Sequence, residues 1–208
     1  DFLNSDGAPT MFNYKLERGR SDFDLKHAFA ANFSWALPSA RRAVSGRILS
    51  GWELNGLVQV QTGLPFNPTV GFDRARIGYG STNDGGQRPV FLGVPGSGLI
   101  LGDPSQWFNP LAFGLPLAGM YGNLGRNVLD GPGLIDSDLA LHKTLWESER
   151  QKVTLRIEVF NIANHPNFQL PSSVGLFSSN LNRVGSAGQI TSTTTSSRQI
   201  QLGLRRTF

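Results

Sequence analysis

The last segment of the chain, residues 198–208, alternates between apolar and polar side chains, and this feature restricts the fold most. Its apolar positions are Ile200, Leu202, Leu204 and Phe208, and its polar positions are Gln199, Gln201, Arg205 and Thr207. A period of two is typical of a β-strand with one apolar and one polar face. A chain that ends in such a strand is expected to place it in a sheet.

Four further segments alternate in the same way, and the sequence therefore predicts an all-β fold. We expect an antiparallel meander of about five long strands. The predicted strands cover residues 25–37, 48–64, 134–146, 151–162 and 198–208. The second is far longer than the about five or six residues usual in soluble proteins. A tilted membrane strand that projects beyond the bilayer would explain its length.

Composition agrees with strands and long connections rather than helices. Only 16% of the residues are charged, whereas about 25% is usual in soluble domains. The chain has 25 glycines and 12 prolines, which favour turns. Prolines also interrupt the longest uncharged run, residues 104–125, so it is not a transmembrane helix. There is no cysteine, which excludes disulfides, and the scattered basic residues form no stripe for nucleic acid.

The connections between the predicted strands alternate between short and long. Residues 38–47 and 147–150 form short turns, and residues 65–133 and 163–197 form long loops. Outer-membrane β-barrels have short periplasmic turns and longer extracellular loops. The sequence therefore predicts the C-terminal part of a transmembrane β-barrel.

The barrel interpretation predicts the depth in the membrane at which the tryptophans lie. The last strand would end at the periplasmic side, where Phe208 can join an aromatic girdle. Trp35 and Trp52 fall near the same level on the apolar face. Trp146 falls at that level too, but its parity is wrong for the apolar face, so we expect it to lie in the turn.

Recurring sequence motifs support the barrel interpretation over almost the whole chain. They are Ser21-Asp22-Phe23-Asp24, Gly51-Trp52-Glu53-Leu54-Asn55-Gly56, Gln61-Thr62-Gly63-Leu64-Pro65-Phe66, Trp107-Phe108-Asn109-Pro110, Gly122-Asn123-Leu124-Gly125-Arg126-Asn127 and Arg156-Ile157-Glu158-Val159-Phe160-Asn161. Their order and spacing resemble the C-terminal barrel of TonB-dependent receptors, specifically the Oar-like group.

The resemblance implies a bacterial outer-membrane barrel of about 22 strands with an N-terminal plug and a TonB box. About five strands cannot close a barrel, so we expect residues 1–208 to be a C-terminal fragment that lacks the plug. The implied partners are outer-membrane lipid, the barrel-assembly machinery, and TonB with its energising complex, reached through the missing N-terminal part. The implied cargo is a small solute of carbohydrate, siderophore or peptide class.

The terminal strand also contains a candidate signal for barrel assembly, formed by Gln201, Gly203, Leu204 and Phe208. It departs from the family pattern at Arg206, where an apolar residue is usual. An arginine facing lipid costs about 2–4 kcal/mol at the bilayer midplane but about 0–1 kcal/mol near the interface. Close to the periplasmic end its side chain can reach water.

The candidate lumen-side polar residues lie in the third and fourth predicted strands. They are Asp136, Asp138, His142, Arg156 and Glu158. A short hairpin would place them on the polar faces of adjacent strands. They could contact a plug or a solute, or they could form a cross-strand ladder worth about 0.2–1 kcal/mol per pair. Likewise, the aromatic residues of the loop 66–127 could capture a ligand or pack on one another.

No motif for catalysis or for a cofactor stands out. The three histidines are far apart in the sequence, and no serine lies in a nucleophile elbow. We therefore expect no enzyme activity and no cofactor. Two alternatives to the receptor remain open, namely a soluble all-β carbohydrate-binding or interaction module and a passive porin-like or adhesive barrel.

Overall fold

The computed structural model describes residues 18–38, 50–78, 86–93 and 98–208. These residues contain eleven strands and a short 3₁₀-helix at Pro110–Ala112. The strands are β1 (Ala28–Ala36), β2 (Trp52–Gln61), β3 (Pro65–Phe66), β4 (Val90–Phe91), β5 (Ile100–Asp103), β6 (Gln106–Phe108), β7 (Phe113–Gly114), β8 (Leu129–Asp130), β9 (Leu134–Glu147), β10 (Lys152–Phe160) and β11 (Gln199–Thr207). Within these ranges no helix has the length and apolar character needed to cross a membrane.

The chain forms two compact units. One, here called the sheet unit, comprises residues 27–61, 134–167 and 193–208. The other, here called the loop unit, comprises residues 1–26, 62–133 and 168–192.

The sheet unit is a single antiparallel sheet with the strand order β1-β2-β9-β10-β11. This confirms the predicted five-stranded antiparallel meander. The long segment between β2 and β9, and the one between β10 and β11, both leave from the sheet end at which Gln61 and Phe160 lie. The short turns lie at the opposite end, here called the short-turn end.

The register keeps most of the large apolar side chains of the five strands on one side of the sheet. This apolar face carries Phe29, Ala31, Phe33 and Trp35 of β1, Trp52, Leu54, Gly56, Val58 and Val60 of β2, Ile135, Ser137, Leu139, Leu141 and Lys143 of β9, Val153, Leu155, Ile157 and Val159 of β10, and Ile200, Leu202, Leu204 and Arg206 of β11. The other side is here called the polar face. Because side chains alternate in a strand, a register error of one residue would exchange the two faces.

Trp146 lies within β9, so the prediction that it belongs to the turn was wrong. The register of β9 against β10 shifts between Val153 and Thr154: Val153 pairs with Trp146, and Thr154 pairs with Thr144. Leu145 is therefore the extra residue of a β-bulge. One extra residue reverses the parity beyond it, and Trp146 joins the apolar face.

The second strand is shorter than its predicted range of 48–64. Residues 48 and 49 lie outside the described residues, and β2 covers Trp52–Gln61. Gln61 pairs with Leu134, the first residue of β9. Pro132, two residues before Leu134, has no backbone N–H with which to extend the ladder. The chain instead leaves the sheet, and the N–H of Gly131 donates to the carbonyl of Leu64 at 2.9 Å.

The loop unit is organised around its own hydrophobic core, although the residues of this core were predicted to lie in long loops. Three small two-stranded sheets, β3–β8, β4–β7 and β5–β6, hold it together. The core consists of Phe66, Phe108, Ala112, Phe113, Leu124, Leu129, Leu176, Phe177 and Ala187. Because these residues come from segments remote in sequence, the two long connections fold as one unit.

Ionic and polar contacts fix the edges of the loop unit. Asp130 of β8 accepts hydrogen bonds at 2.6 Å from both Arg20 and Lys26. Partial burial raises the pKa of Asp130, but these hydrogen bonds and positive charges outweigh it and hold the pKa below its usual value. Asp73 similarly accepts hydrogen bonds from the backbone of Gly78 and the side chain of Gln87. Burial raises the pKa of Asp73, but its hydrogen bonds outweigh this effect and lower the pKa.

Candidate functional site

The polar face of the sheet unit contains a connected group of polar side chains near its centre. Arg156 of β10 donates to Glu158 on its own strand, and its Nε lies 3.4 Å from Nε2 of His142. His142 of β9 is the direct register partner of Arg156. Its Nδ1 lies 3.3 Å from the amide nitrogen of Asn55. The structure therefore brings together three of the predicted residues, His142, Arg156 and Glu158.

The other two predicted residues lie outside this group. Asp136 accepts a hydrogen bond from the N–H of the next residue, Ser137, at 3.1 Å. Asp138 accepts one from the N–H of Asn161 at 2.9 Å, just beyond the end of β10. Asp138 thus stabilises the turn after β10, where Asn161 has a positive φ of 48°.

Strand β2 adds residues that were not among the predicted site residues. Glu53 is the register partner of His142 and accepts a hydrogen bond from Ser34 at 2.9 Å. Asn55 contacts His142, as described above. Their alternation with the apolar residues of β2 was visible in the sequence, but the pairing of β2 with β9 was not. A connection of about seventy residues separates these strands and gives no register.

A hollow of about 550 Å³ lies on this side of the sheet toward the short-turn end. Charged side chains of both signs line it, among them Glu53, Lys152, Arg156 and Arg205. Lys152 also forms an ion pair with Glu147 at 3.2 Å. Mixed charges and hydrogen-bonding groups suit contact with a polar solute or a polypeptide surface. Within the described ranges, no group of three or more histidines and acids could hold a metal ion.

The sheet unit has no core of its own between packed layers. Every buried hydrophobic residue of the described ranges belongs to the loop unit. On the apolar face, by contrast, Ile200 is 69% exposed, Leu202 71% and Leu204 69%. A sheet with one exposed apolar face and one charged face is typical of a barrel wall between lipid and an aqueous lumen.

The sequence profile of the outer membrane beta barrel domain matches residues 1–201. The chain belongs to this family. It is thus a protein of the bacterial outer membrane, and such barrel domains are usually not enzymes. No curated protein and no solved structure matches the chain significantly.

Family membership assigns the two faces of the sheet. In an outer-membrane barrel the apolar face contacts lipid and the polar face lines the lumen. The group of His142, Arg156 and Glu158 lies on the polar face. Of the candidate assembly-signal residues, Gln201 and Gly203 lie on the polar face and Leu204 on the apolar face. Phe208 follows the end of β11 and is 83% exposed.

The aromatic residues of the loop 66–127 mostly pack within the loop unit. The rings of Phe66 and Phe108 lie 5.8 Å apart, and those of Phe108 and Phe113 lie 6.0 Å apart. The indole N–H of Trp107 donates to the carbonyl of Asp130 at 2.9 Å. Phe91 stays 39% exposed, and Tyr79 lies outside the described residues. Packing therefore accounts for the central rings of this loop.

Proposed function

We propose that this chain is part of a TonB-dependent outer-membrane receptor that takes up a scarce solute by energy coupling. The complete barrel would have about 22 strands and would contain a plug. The loop unit would help to bind the solute outside the membrane, and the chain described here would supply wall and loops but no chemistry.

The order of the loop unit is the observation that carries this proposal. A receptor for a scarce solute needs a binding surface, which loops of fixed shape can supply. Here Phe108 and Phe113 of the long connections are completely buried, and Leu176 is only 1% exposed. A buried core gives a loop surface a fixed shape, and binding sites are commonly built on loops held in this way.

The lumen wall supports the same proposal. The Arg156–Glu158 pair and its contact with His142 present both charge signs and several hydrogen-bonding groups toward the lumen. Such a surface can bind a second polypeptide, such as a plug, through polar contacts that release when force is applied. The motif resemblance described above points in the same direction, because it covers β2, β10 and the loop unit.

The alternative is a passive porin-like barrel, and conductance across a planar bilayer separates the two. The full-length protein that contains this chain is purified, reconstituted and held at low voltage. A receptor with a plug is expected to show no steady conductance, and a steady ohmic current would contradict the proposal. In whole cells, a photocrosslinker in the segment preceding the barrel should give an adduct with TonB, and its absence would favour the passive barrel.

A further inference from the structure

Charge is distributed unevenly on the apolar face. Of the strand positions assigned to this face, two are charged, Lys143 and Arg206, and both are cationic. Both lie toward the short-turn end. Within the described strands, no aspartate or glutamate occupies the apolar face.

The two cations are held differently. Lys143 is buried, donates to the backbone carbonyl of Ser50, and lies 5.3 Å from the ring centroid of Trp52. Arg206 is exposed, and its guanidinium lies 4.5 Å from the ring centroid of Phe208. Its NH2 group donates to the side-chain oxygen of Gln151 at 2.8 Å. Arg206 is thus oriented by two contacts, one with Phe208 and one with Gln151.

Arg206 lies in one transverse row with an aromatic donor. It pairs with Val153, and Val153 pairs with Trp146, so all three residues share one level of the apolar face. Neighbouring strands are about 4.8 Å apart, which places the backbones of Arg206 and Trp146 about 10 Å from each other. Trp146 is 51% exposed, and indole rings favour the headgroup level, where the N–H finds a polar acceptor.

We propose that Arg206 and Trp146 form a binding site for the phosphate of a phospholipid headgroup, with a preference for anionic phospholipids. A guanidinium matches phosphate oxygens in geometry and charge. Phosphatidylglycerol carries a net negative charge, which attracts the arginine. Phosphatidylethanolamine also carries an ammonium group, which would lie close to the arginine and repel it. The nearest acid of β9, Glu147, is paired with Lys152. This inference rests on the family membership and is independent of energy coupling.

Native mass spectrometry of the full-length protein with added phosphatidylglycerol, phosphatidylethanolamine or lipid A tests the site. Arg206→Gln is expected to weaken phosphatidylglycerol binding about tenfold, the size of one charge-assisted contact, and to weaken phosphatidylethanolamine binding by a smaller factor. Arg205→Gln is the matched control, because it removes the same charge from the same strand on the lumen side. The control should bind phosphatidylglycerol as the wild type does.

Each of the following results would overturn the proposal. Equal losses in the two variants would indicate diffuse electrostatics, and no loss in Arg206→Gln would exclude the arginine. If Arg206→Gln lost lipid A binding but kept phosphatidylglycerol binding, the bound phosphate would belong to lipid A in the opposite leaflet. If Arg206→Gln does not fold, Arg206→Lys keeps the charge and loses the planar fork. This variant should then show a smaller but measurable loss, and unchanged affinity would contradict the site.

Discussion

Trp146 of β9 lies directly opposite Val153 of β10, because the unpaired Leu145 shifts the register of the two strands by one residue. Without this bulge Trp146 would point toward the lumen, as its parity in the sequence indicates. With it, the tryptophan reaches the apolar face at the level of Arg206. A single inserted residue therefore decides on which side of the barrel wall the indole lies.

Deletion of Leu145 should be tolerated. It removes the bulge and leaves Thr144 opposite Thr154 and Trp146 opposite Val153, so no side chain changes face. Deletion of Leu141, in the regular part of β9, should abolish folding because part of the strand exchanges its faces. The heat-dependent mobility shift in gel electrophoresis, which reports folded barrels, measures both. Equal folding of the two deletions would show that the register is not as described.

Gly122 should not tolerate a side chain. A Cβ at this position would collide with the backbone carbonyl oxygens of Arg88 and Pro89. Because backbone atoms cannot move aside easily, we expect Gly122→Ala to lower the free energy of unfolding by about 1–3 kcal/mol. Gly185→Ala is the control, since its Cβ would meet no atom within 4 Å. Thermal unfolding with limited proteolysis measures both, and equal stability would contradict the close approach.

Asn167 should be essential for the stability of the sheet unit. It is buried, accepts a hydrogen bond from the N–H of Ile135 at 2.8 Å and donates to the carbonyl of Ile135 at 2.9 Å. Asn167→Ala leaves these backbone groups without their partner and should cost about 2–3 kcal/mol. Asn180→Ala, at an exposed turn position, should change stability by less than about 0.5 kcal/mol. Denaturant unfolding in micelles measures the free energy of unfolding of both variants. An unchanged value for Asn167→Ala would show that Asn167 does not stabilise the sheet unit.

The loop unit should lose stability in acid through Asp130. Because its pKa in the folded protein is lowered, the ionised carboxylate stabilises the fold above the unfolded value of about 3.9. This contribution disappears as the pH falls through the lower, folded pKa. The side chains of Asp130, Arg20 and Lys26 are partly exposed, so the effect should be about 0.2–1 kcal/mol. Thermal unfolding of the wild type and Asp130→Asn should differ at neutral pH and converge in strong acid; a difference independent of pH would contradict this.

Local alternation made the sheet predictable. The two faces of β11 could be assigned from Ile200, Leu202 and Gln201 alone, because a period of two repeats within a few residues. The polar group was found for the same reason, since Arg156 and His142 lie on strands joined by a short turn. Glu53 was missed because its partner strand is separated from β2 by the whole segment 62–133.

The sequence by itself determined the five strands of the sheet unit, the two faces of their regular parts and the order of short and long connections, because each of these properties depends on residues close together in the chain. Only the tertiary structure decided the bulge at Leu145 and the core that unites Phe66, Phe108 and Leu176. The bulge appears only when two strands are aligned. The core joins residues from distant segments, whose contacts leave no periodic pattern in the sequence.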